Sequence, residues 1–278
     1  MVKNIAASVK QRLLNLAKDR NEDFNYVLMR YVIERFLYRL SVSKYADTFL
    51  LKGGTLFTVW HDKPHRPTKD IDLLGFCKAE LDEIKEIILE VLSDEYEDGL
   101  VFDIESMVVA EIREDNKYDG IRVMFLGYLE KAKANVQIDI GFGDAVTPGP
   151  EDVHVPALLD FPEPKLKAYP VYTVVAEKYE AMCNLGEANS RMKDFYDIWY
   201  IATTNNNLDM DKLKLAVETT FKRRGTELVK APVIFQNDFI EDEDRQARWK
   251  SFLRKNRLSL MEFRDAINAI KSLIDKIT

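Results

Sequence analysis

Along the first forty residues, apolar positions return every three or four places. Ile5, Val9, Leu13, Leu14 and Leu16 keep that spacing, as do Val27, Met29, Val32, Ile33 and Leu37. A repeat near 3.6 gathers such residues on one face and predicts helices over 4–19 and 23–40. The rhythm then shortens. Asp47 to Lys52 is a brief apolar run closed by Gly53-Gly54, which reads as a buried strand turning into a helix over Thr55–Trp60. His61 to Pro67 carries two prolines and reads as a loop. Asp70–Phe76 predicts a second strand and Lys78–Leu92 an amphipathic helix. Alternation over 101–112 and 120–129 predicts two strands of a hairpin or meander. Val136–Ile140 predicts another strand, ending at Gly141 and Gly143.

The texture changes after Asp144. Pro148, Pro150, Pro156, Pro162, Pro164 and Pro170 mark a long, stiffened connection. From Val174 onward the period is almost purely helical, over 174–185, 191–204, 209–222, 243–254 and 258–276. The pattern therefore predicts an α+β chain. An α/β domain with N-terminal helices occupies 1–150, and a helical C-terminal domain occupies 151–278. Neither an internal repeat nor a low-complexity segment interrupts it.

Composition narrows the class. With 46% hydrophobic and 31% charged residues in a 278-residue chain, a soluble core with a well-solvated surface is expected. The apolar runs are too short to span a bilayer. Met1–Asn15 lacks the apolar centre of a secretory signal, so a cytoplasmic, non-membrane protein is expected. Cys77 and Cys183 are far apart and in no metal spacing, which reads as reduced core thiols. His61, His65 and His154 form no ligand spacing, and neither a G-x-S-x-G elbow nor a P-loop occurs.

The net charge of −7 provides no global attraction to nucleic acid. Two local basic stretches remain as candidates. One is Lys222-Arg223-Arg224 with Lys230. The other is Arg245, Arg248, Lys250, Arg254, Lys255 and Arg257, with Trp249 and Phe252 between them. Such runs also occur as plain solvated helix faces.

The chemistry-bearing residues concentrate in Lys52-Gly53-Gly54-Thr55, Arg66, Thr68 and Asp70-Ile71-Asp72-Leu73. A glycine turn lets backbone N–H groups approach a phosphate. Carboxylates at i and i+2 of a strand share one face. Two like charges there are unfavourable unless a cation joins them, and Mg²⁺ takes hard oxygen ligands from one or two carboxylates plus substrate phosphates. The plainer alternative is a strand end with two solvated aspartates. Asp139, between apolar Ile138 and Ile140, is a candidate third carboxylate for such a metal, or a base toward an attacking hydroxyl. It also suits a simple turn cap.

A third group is Lys178 with Arg191, Lys193, Asp194 and Asp197. Asp194 stands near a predicted helix start, where a carboxylate is favoured as a cap. Lys178 suits a surface ion pair. The functional alternative is a lysine gripping a triphosphate and an aspartate orienting it or the incoming hydroxyl.

In order and spacing, these residues resemble the AbiEii/AbiGii-type nucleotidyltransferase toxins, relatives of the MenT toxins, over roughly residues 25–205. The Lys-Gly-Gly-Thr…Arg-x-Thr-x-Asp-Ile-Asp-Leu string of that family stands at Lys52–Thr55, Arg66, Thr68 and Asp70–Leu73. Its later elements stand at Lys178 and Lys193-Asp194-Phe195-Tyr196-Asp197. The resemblance implies a polymerase-β-type nucleotidyltransferase core with a mixed sheet and flanking helices, followed by a helical domain. It implies Mg²⁺, with Mn²⁺ as a substitute, and transfer of NMP from an NTP to an acceptor, in MenT-like relatives the 3′ end of tRNA, with translation blocked. Carried over by motif, Asp70, Asp72, Lys178 and Asp194 are catalytic. Gly53, Gly54, Thr55, Arg66, Lys178 and Asp197 bind nucleotide, and Asp70, Asp72 and Asp139 bind metal, with Asp144 a rival for the third place. A co-encoded AbiEi-like antitoxin is implied as a transcriptional repressor that need not touch the toxin.

Two other functional classes share these residues. One is a kinase-like or phosphohydrolase use of the carboxylates, although Leu74 departs from the D-x-D-x-[TV] signature of haloacid-dehalogenase chemistry. The other is a scaffold that binds nucleotide without turnover.

Overall fold

A computed structural model describes residues 4–60, 66–114 and 118–278. The helical periods of the N-terminus become α1 (Ile5–Arg20) and α2 (Phe24–Val42). Each begins where a short polar side chain can cap: Asn4 Oδ1 accepts from Ala7 N, and Asp23 Oδ1 accepts from Asn25 N and Tyr26 N. Most of the predicted loop over 61–67, with His61 and His65, lies outside the described residues.

The chain divides into two compact units: Met1–Gly143 with Glu151–Ala168, and Asp144–Pro150 with Tyr169–Thr278. Among the described residues, the first unit holds a sheet of seven strands. They are β1 (Phe49–Lys52), β2 (Ile71–Gly75), β3 (Leu100–Glu114), β4 (Tyr118–Leu129), β5 (Ala132–Phe142), β6 (Glu151–His154) and β7 (Lys165–Ala168). Their order across the sheet is β3-β4-β5-β2-β1-β7-β6. It is a mixed sheet: β2 runs antiparallel to β1 and parallel to β5, and β1 runs parallel to β7. Strand β2 reads Ile71-Asp72-Leu73-Leu74-Gly75 and is buried except at Asp72, so the centre of the sheet is apolar with one carboxylate set into it.

Two further helices complete this unit. A single 3₁₀ turn at Gly53–Thr55 leads from β1 into α3 (Leu56–Trp60). The amphipathic stretch becomes α4 (Leu81–Ser93), which buries Ile84, Ile87, Ile88, Val91 and Leu92 at helical spacing. Helix α2 carries charge inside the fold. Arg39 forks onto Asp98 through two bonds of 2.6 and 3.1 Å, with both side chains buried.

The second unit is helical: α5 (Val171–Leu185), α6 (Met192–Thr204), α7 (Met210–Arg224), α8 (Asn237–Glu241), α9 (Glu243–Lys255) and α10 (Phe263–Ile274). Its core is aromatic. Phe195 meets Phe263 edge-on at 5.2 Å, and Trp249 lies 5.4 Å from the same Phe263 ring.

Some elements differ from the pattern-based expectation. The proline-rich stretch contains β6 and β7. Lys165-Leu166-Lys167-Ala168 alternates, and Leu166 and Ala168 turn inward. Four residues are too few to stand out between prolines. Helix α8, five residues long, is likewise too short to show a period. The last helix begins at Phe263 rather than 258, because Arg257 adopts a left-handed conformation that closes α9.

Candidate active site

The sheet register of the first unit builds a charged row. Lys52 on β1 pairs with Asp72 on β2, Asp72 with Asp139 on β5, and Asp139 with Arg122 on β4. Directly paired residues share a face, so the row across four strands reads Lys52, Asp72, Asp139, Arg122. Two carboxylates stand side by side in its middle with a cation at each end. Asp70, expected as the first residue of that strand, stands in the bend just before β2, so the strand period does not fix its face. Asp139 is engaged by its neighbours. Its Oδ1 and Oδ2 accept from Arg122 Nε and Nη2, each at 2.7 Å, and Gln137 Nε2 approaches both oxygens at 3.3 and 3.1 Å.

The glycine turn lies against this face. Gly53 has φ +73°, which glycine alone adopts without strain. A Cβ added there would fall 1.9 Å from Asp72 Oδ2 and 2.7 Å from Asp72 Cβ. At Gly54 it would fall 2.8 Å from Thr68 Oγ1 and 3.4 Å from Arg66 Nη2. Both glycines thus make room for backbone to touch the motif's own side chains. Thr55 follows, 3% exposed, and its Oγ1 has no hydrogen-bond partner among the described residues. A buried hydroxyl without a partner is costly, by about 1–3 kcal/mol, unless a bound group satisfies it. The set therefore suits a divalent metal and a phosphate: hard carboxylate donors, a backbone cradle that only glycine permits, and a hydroxyl facing inward. Among the described residues no three His, Cys, Asp or Glu side chains converge to hold a metal unaided, and Mg²⁺ ordinarily draws further ligands from water and substrate phosphate.

The second unit holds the other motif residues. Asp194 and Asp197 are one helical turn apart on α6 and face Lys178 of α5. Lys178 Nζ lies 2.6 Å from Asp194 Oδ1 and 2.9 Å from Asp197 Oδ2. The three side chains are 14%, 6% and 0% exposed, so this is a buried ion triad. Asp194 stands in the first turn of α6, where the helix dipole favours a carboxylate. Asp144, the rival third carboxylate, belongs to this unit and pairs with Arg224 at 3.2 Å. Arg224 also meets Glu180 at 2.9 Å and Glu177 at 3.4 Å. Although burial disfavours its charge, Glu177 and Asp144 hold the guanidinium protonated well beyond the usual arginine range.

The basic stretches are only partly surface. Arg224 is committed to that acidic cluster. Arg245 is buried over the Phe239 ring and donates to the carbonyls of Phe239 and Glu187. Trp249 is core, with Nε1 donating to Met261 O. What remains exposed on and just after α9 is Arg248, Lys250, Arg254, Lys255 and Arg257. Both cysteines are free, and burial pushes the Cys183 thiol up to about 12, which makes it unreactive. Pattern reading missed Arg122 and Arg30. A lone arginine in a strand or helix carries no motif, and only register and packing reveal what it faces.

Comparison with known proteins gives the family and the fold. A family model described as nucleotidyl transferase AbiEii toxin, type IV TA system, matches residues 35–269. Among solved structures, JHP933 from Helicobacter pylori superposes with a TM-score of 0.51 at 12% identity, covering 89% of this chain and 91% of that one. A candidate nucleotidyltransferase from the same organism gives a TM-score of 0.49 at 14% identity, covering 91% and 93%. At 12% identity the JHP933 likeness concerns the fold, the mixed α+β architecture expected from the sequence. No match is found among curated protein sequences. Among the described residues no helix is long and apolar enough to cross a membrane.

Proposed function

The chain belongs to the AbiEii nucleotidyltransferase toxin family of type IV toxin–antitoxin systems, and from that premise we propose that it moves NMP from an NTP to the 3′ end of tRNA, so that translation stops. The observation that carries the reading is the contact between glycine turn and carboxylate face. Gly53 backbone lies where any Cβ would strike Asp72, and beside it the Thr55 hydroxyl is buried without a protein partner. That is a cradle for phosphate next to donors for a metal.

In this reading Asp70 and Asp72 hold Mg²⁺, or Mn²⁺ in its place. When bound, the metal supplies charge neutralisation at the triphosphate oxygens. Gly53 and Gly54 present backbone N–H groups to the phosphates, Thr55 donates its hydroxyl, and Arg66 clamps a phosphate oxygen pair. Asp139 would join the metal donors by giving up a bond from Gln137 or Arg122, which between them approach both of its oxygens. From the second unit, Lys178 acts on phosphate charge, Asp194 positions nucleotide or acceptor, and Asp197 binds nucleotide by holding Lys178 in place. The acceptor hydroxyl attacks the α-phosphorus and a carboxylate oxygen takes its proton. The bond to the β-phosphate oxygen breaks, and pyrophosphate leaves. The antitoxin that the family implies is of AbiEi type, a repressor acting on transcription without needing to touch the toxin, in the cytoplasm.

The test is label transfer. Protein and Mg²⁺ are incubated with each α-³²P-NTP and total tRNA, beside Asp72→Asn. Label on tRNA from one NTP, absent in the variant and without metal, is the expected result. Transfer from γ-labelled NTP instead would replace this reading with a kinase, and metal-dependent binding without any transfer would leave a scaffold.

A further inference from the structure

Behind the glycine turn lies a cleft of about 60 Å³, lined by Arg30 of α2, by Thr55 and Thr58, and by Thr68. Its size is that of roughly two water molecules, which admits one phosphoryl group and excludes a base or a ribose. Three buried polar atoms of its lining residues make no hydrogen bond among the described residues: Thr55 Oγ1, Arg30 Nη1 and Glu34 Oε1. Glu22 Oε2 stands 3.5 Å from the Arg30 guanidinium nitrogen and makes no hydrogen bond either. The guanidinium also lies over the Tyr26 ring, 5.6 Å from its centroid, and neither contact supplies the bidentate bonds that a guanidinium forms with a carboxylate or phosphate. Arg39, on the same helix, forms such bonds with Asp98.

A second cation lies beside the turn: Arg66 Nη2 would stand 3.4 Å from a Cβ added at Gly54, the residue before Thr55. Cations near an unsatisfied buried hydroxyl are what an anion would relieve. Glu34 also lines the cleft, where burial raises its pKa to about 7 against the lowering effect of Arg35 and Arg30, which favours the uncharged form that does not repel an anion. Glu34 Oε2 accepts from Leu158 N at 2.6 Å, and Oε1 lies 2.7 Å from Arg35 Nη2.

We propose that this cleft is the seat of the terminal phosphoryl group of the NTP, with Arg30 as its cation and the Thr55 hydroxyl as its donor. The inference rests on the nucleotidyltransferase reading and adds to it a residue outside every motif. It makes the site select triphosphates over monophosphates through a group that takes no part in the bond changes at the α-phosphorus.

The experiment is calorimetric binding of the four NTPs, the four NMPs and inorganic tripolyphosphate to wild type and to Arg30→Gln, Arg30→Lys, Glu22→Gln and Thr55→Val. The expected result for Arg30→Gln is NTP and tripolyphosphate binding weakened at least about tenfold, with NMP binding unchanged. Arg30→Lys recovers part of the loss. Thr55→Val weakens tripolyphosphate binding while raising the melting temperature, because it removes an unsatisfied buried hydroxyl; a merely structural threonine would not do both. Glu22→Gln leaves NTP affinity unchanged or raises it. The proposal falls if Arg30→Gln binds NTP as wild type does, if it loses NMP equally, or if Glu22→Gln reproduces its defect. Tripolyphosphate held through Arg30 with no NTP bound would keep the subsite and overturn nucleotidyl transfer. Neither ligand binding to wild type would overturn both.

Discussion

Gly53→Ala is the sharpest test of the site because its effects on stability and on transfer should separate. The residue has φ +73°, and an alanine Cβ would lie 1.9 Å from Asp72 Oδ2 and 2.7 Å from Asp72 Cβ. The left-handed conformation costs a non-glycine residue roughly 1–2 kcal/mol. The clash is not with the far end of a flexible side chain alone, since Asp72 Cβ is involved and the strand itself must yield. Reaching a tolerable 3.0 Å requires the carboxylate to retreat by at least about 1 Å, and a displacement of that size is enough to lower a rate about 100-fold. The expected result is a melting temperature lower by a few degrees with label transfer down at least about 100-fold. Gly99→Ala is the control. Gly99 has φ +75° and its Cβ would lie 2.8 Å from Ala6 Cα, with its nearest neighbours all atoms of Ala6, which is no motif residue. It should lose comparable stability and keep transfer. If Gly53→Ala remains folded and transfers within about threefold of wild type, the apposition of turn and carboxylate is not what catalysis needs.

Other predictions follow from the charge inside each unit. Lys178→Met deprives two buried carboxylates of their common cation, which should lower stability by about 3–5 kcal/mol. The triple variant with Asp194→Asn and Asp197→Asn should regain most of it in a urea titration and still transfer nothing, and a stable single variant would refute the triad's structural share. Glu34 offers a pH test. Burial raises its pKa from 4.5 to about 7, against the lowering effect of Arg35 and the Leu158 N–H. A raised carboxyl pKa means the native state holds a proton that the unfolded chain has lost. Stability from this group is therefore full below about pH 4.5 and falls as pH rises through 7, by about 3 kcal/mol in all. Glu34→Gln should flatten the melting-temperature profile between pH 5 and 8, and an unchanged slope would remove Glu34 as its cause.

The motif face was legible in the sequence because its chemistry is local. Gly53-Gly54-Thr55 sits within one turn and Asp72 within one short strand, so residue type and period suffice to pick out those two elements. Asp70 falls in the bend before the strand, where the period no longer applies. Lys178, Asp194 and Asp197 were legible only as two balanced readings. A cap and an ion triad use the same residue at the same helix position, and only the packing of α5 on α6 reveals the triad. Arg122 and Arg30 were invisible for a different reason: each acquires its meaning from register or from a neighbour far along the chain. The basic stretch at 245–257 misled by mixing two faces of one helix, since a run of cations in sequence says nothing of which ones point inward. Strands β6 and β7 were lost among prolines, where four alternating residues cannot compete with six breakers.

The return of residues 151–168 to the first unit has a practical consequence for dissecting this protein. Strand β7 is the partner that covers β1 on the side away from β2. A fragment cut at Gly143, where the chain first leaves that unit, would leave β1 with unpaired N–H and C=O groups along one flank, immediately before the glycine turn. An open, apolar edge such as Phe49-Leu50-Leu51 invites pairing with another chain. Attempts to express the sheet alone should therefore aggregate unless they carry the 151–168 segment with them, joined across the omitted heptapeptide or supplied as a separate strand.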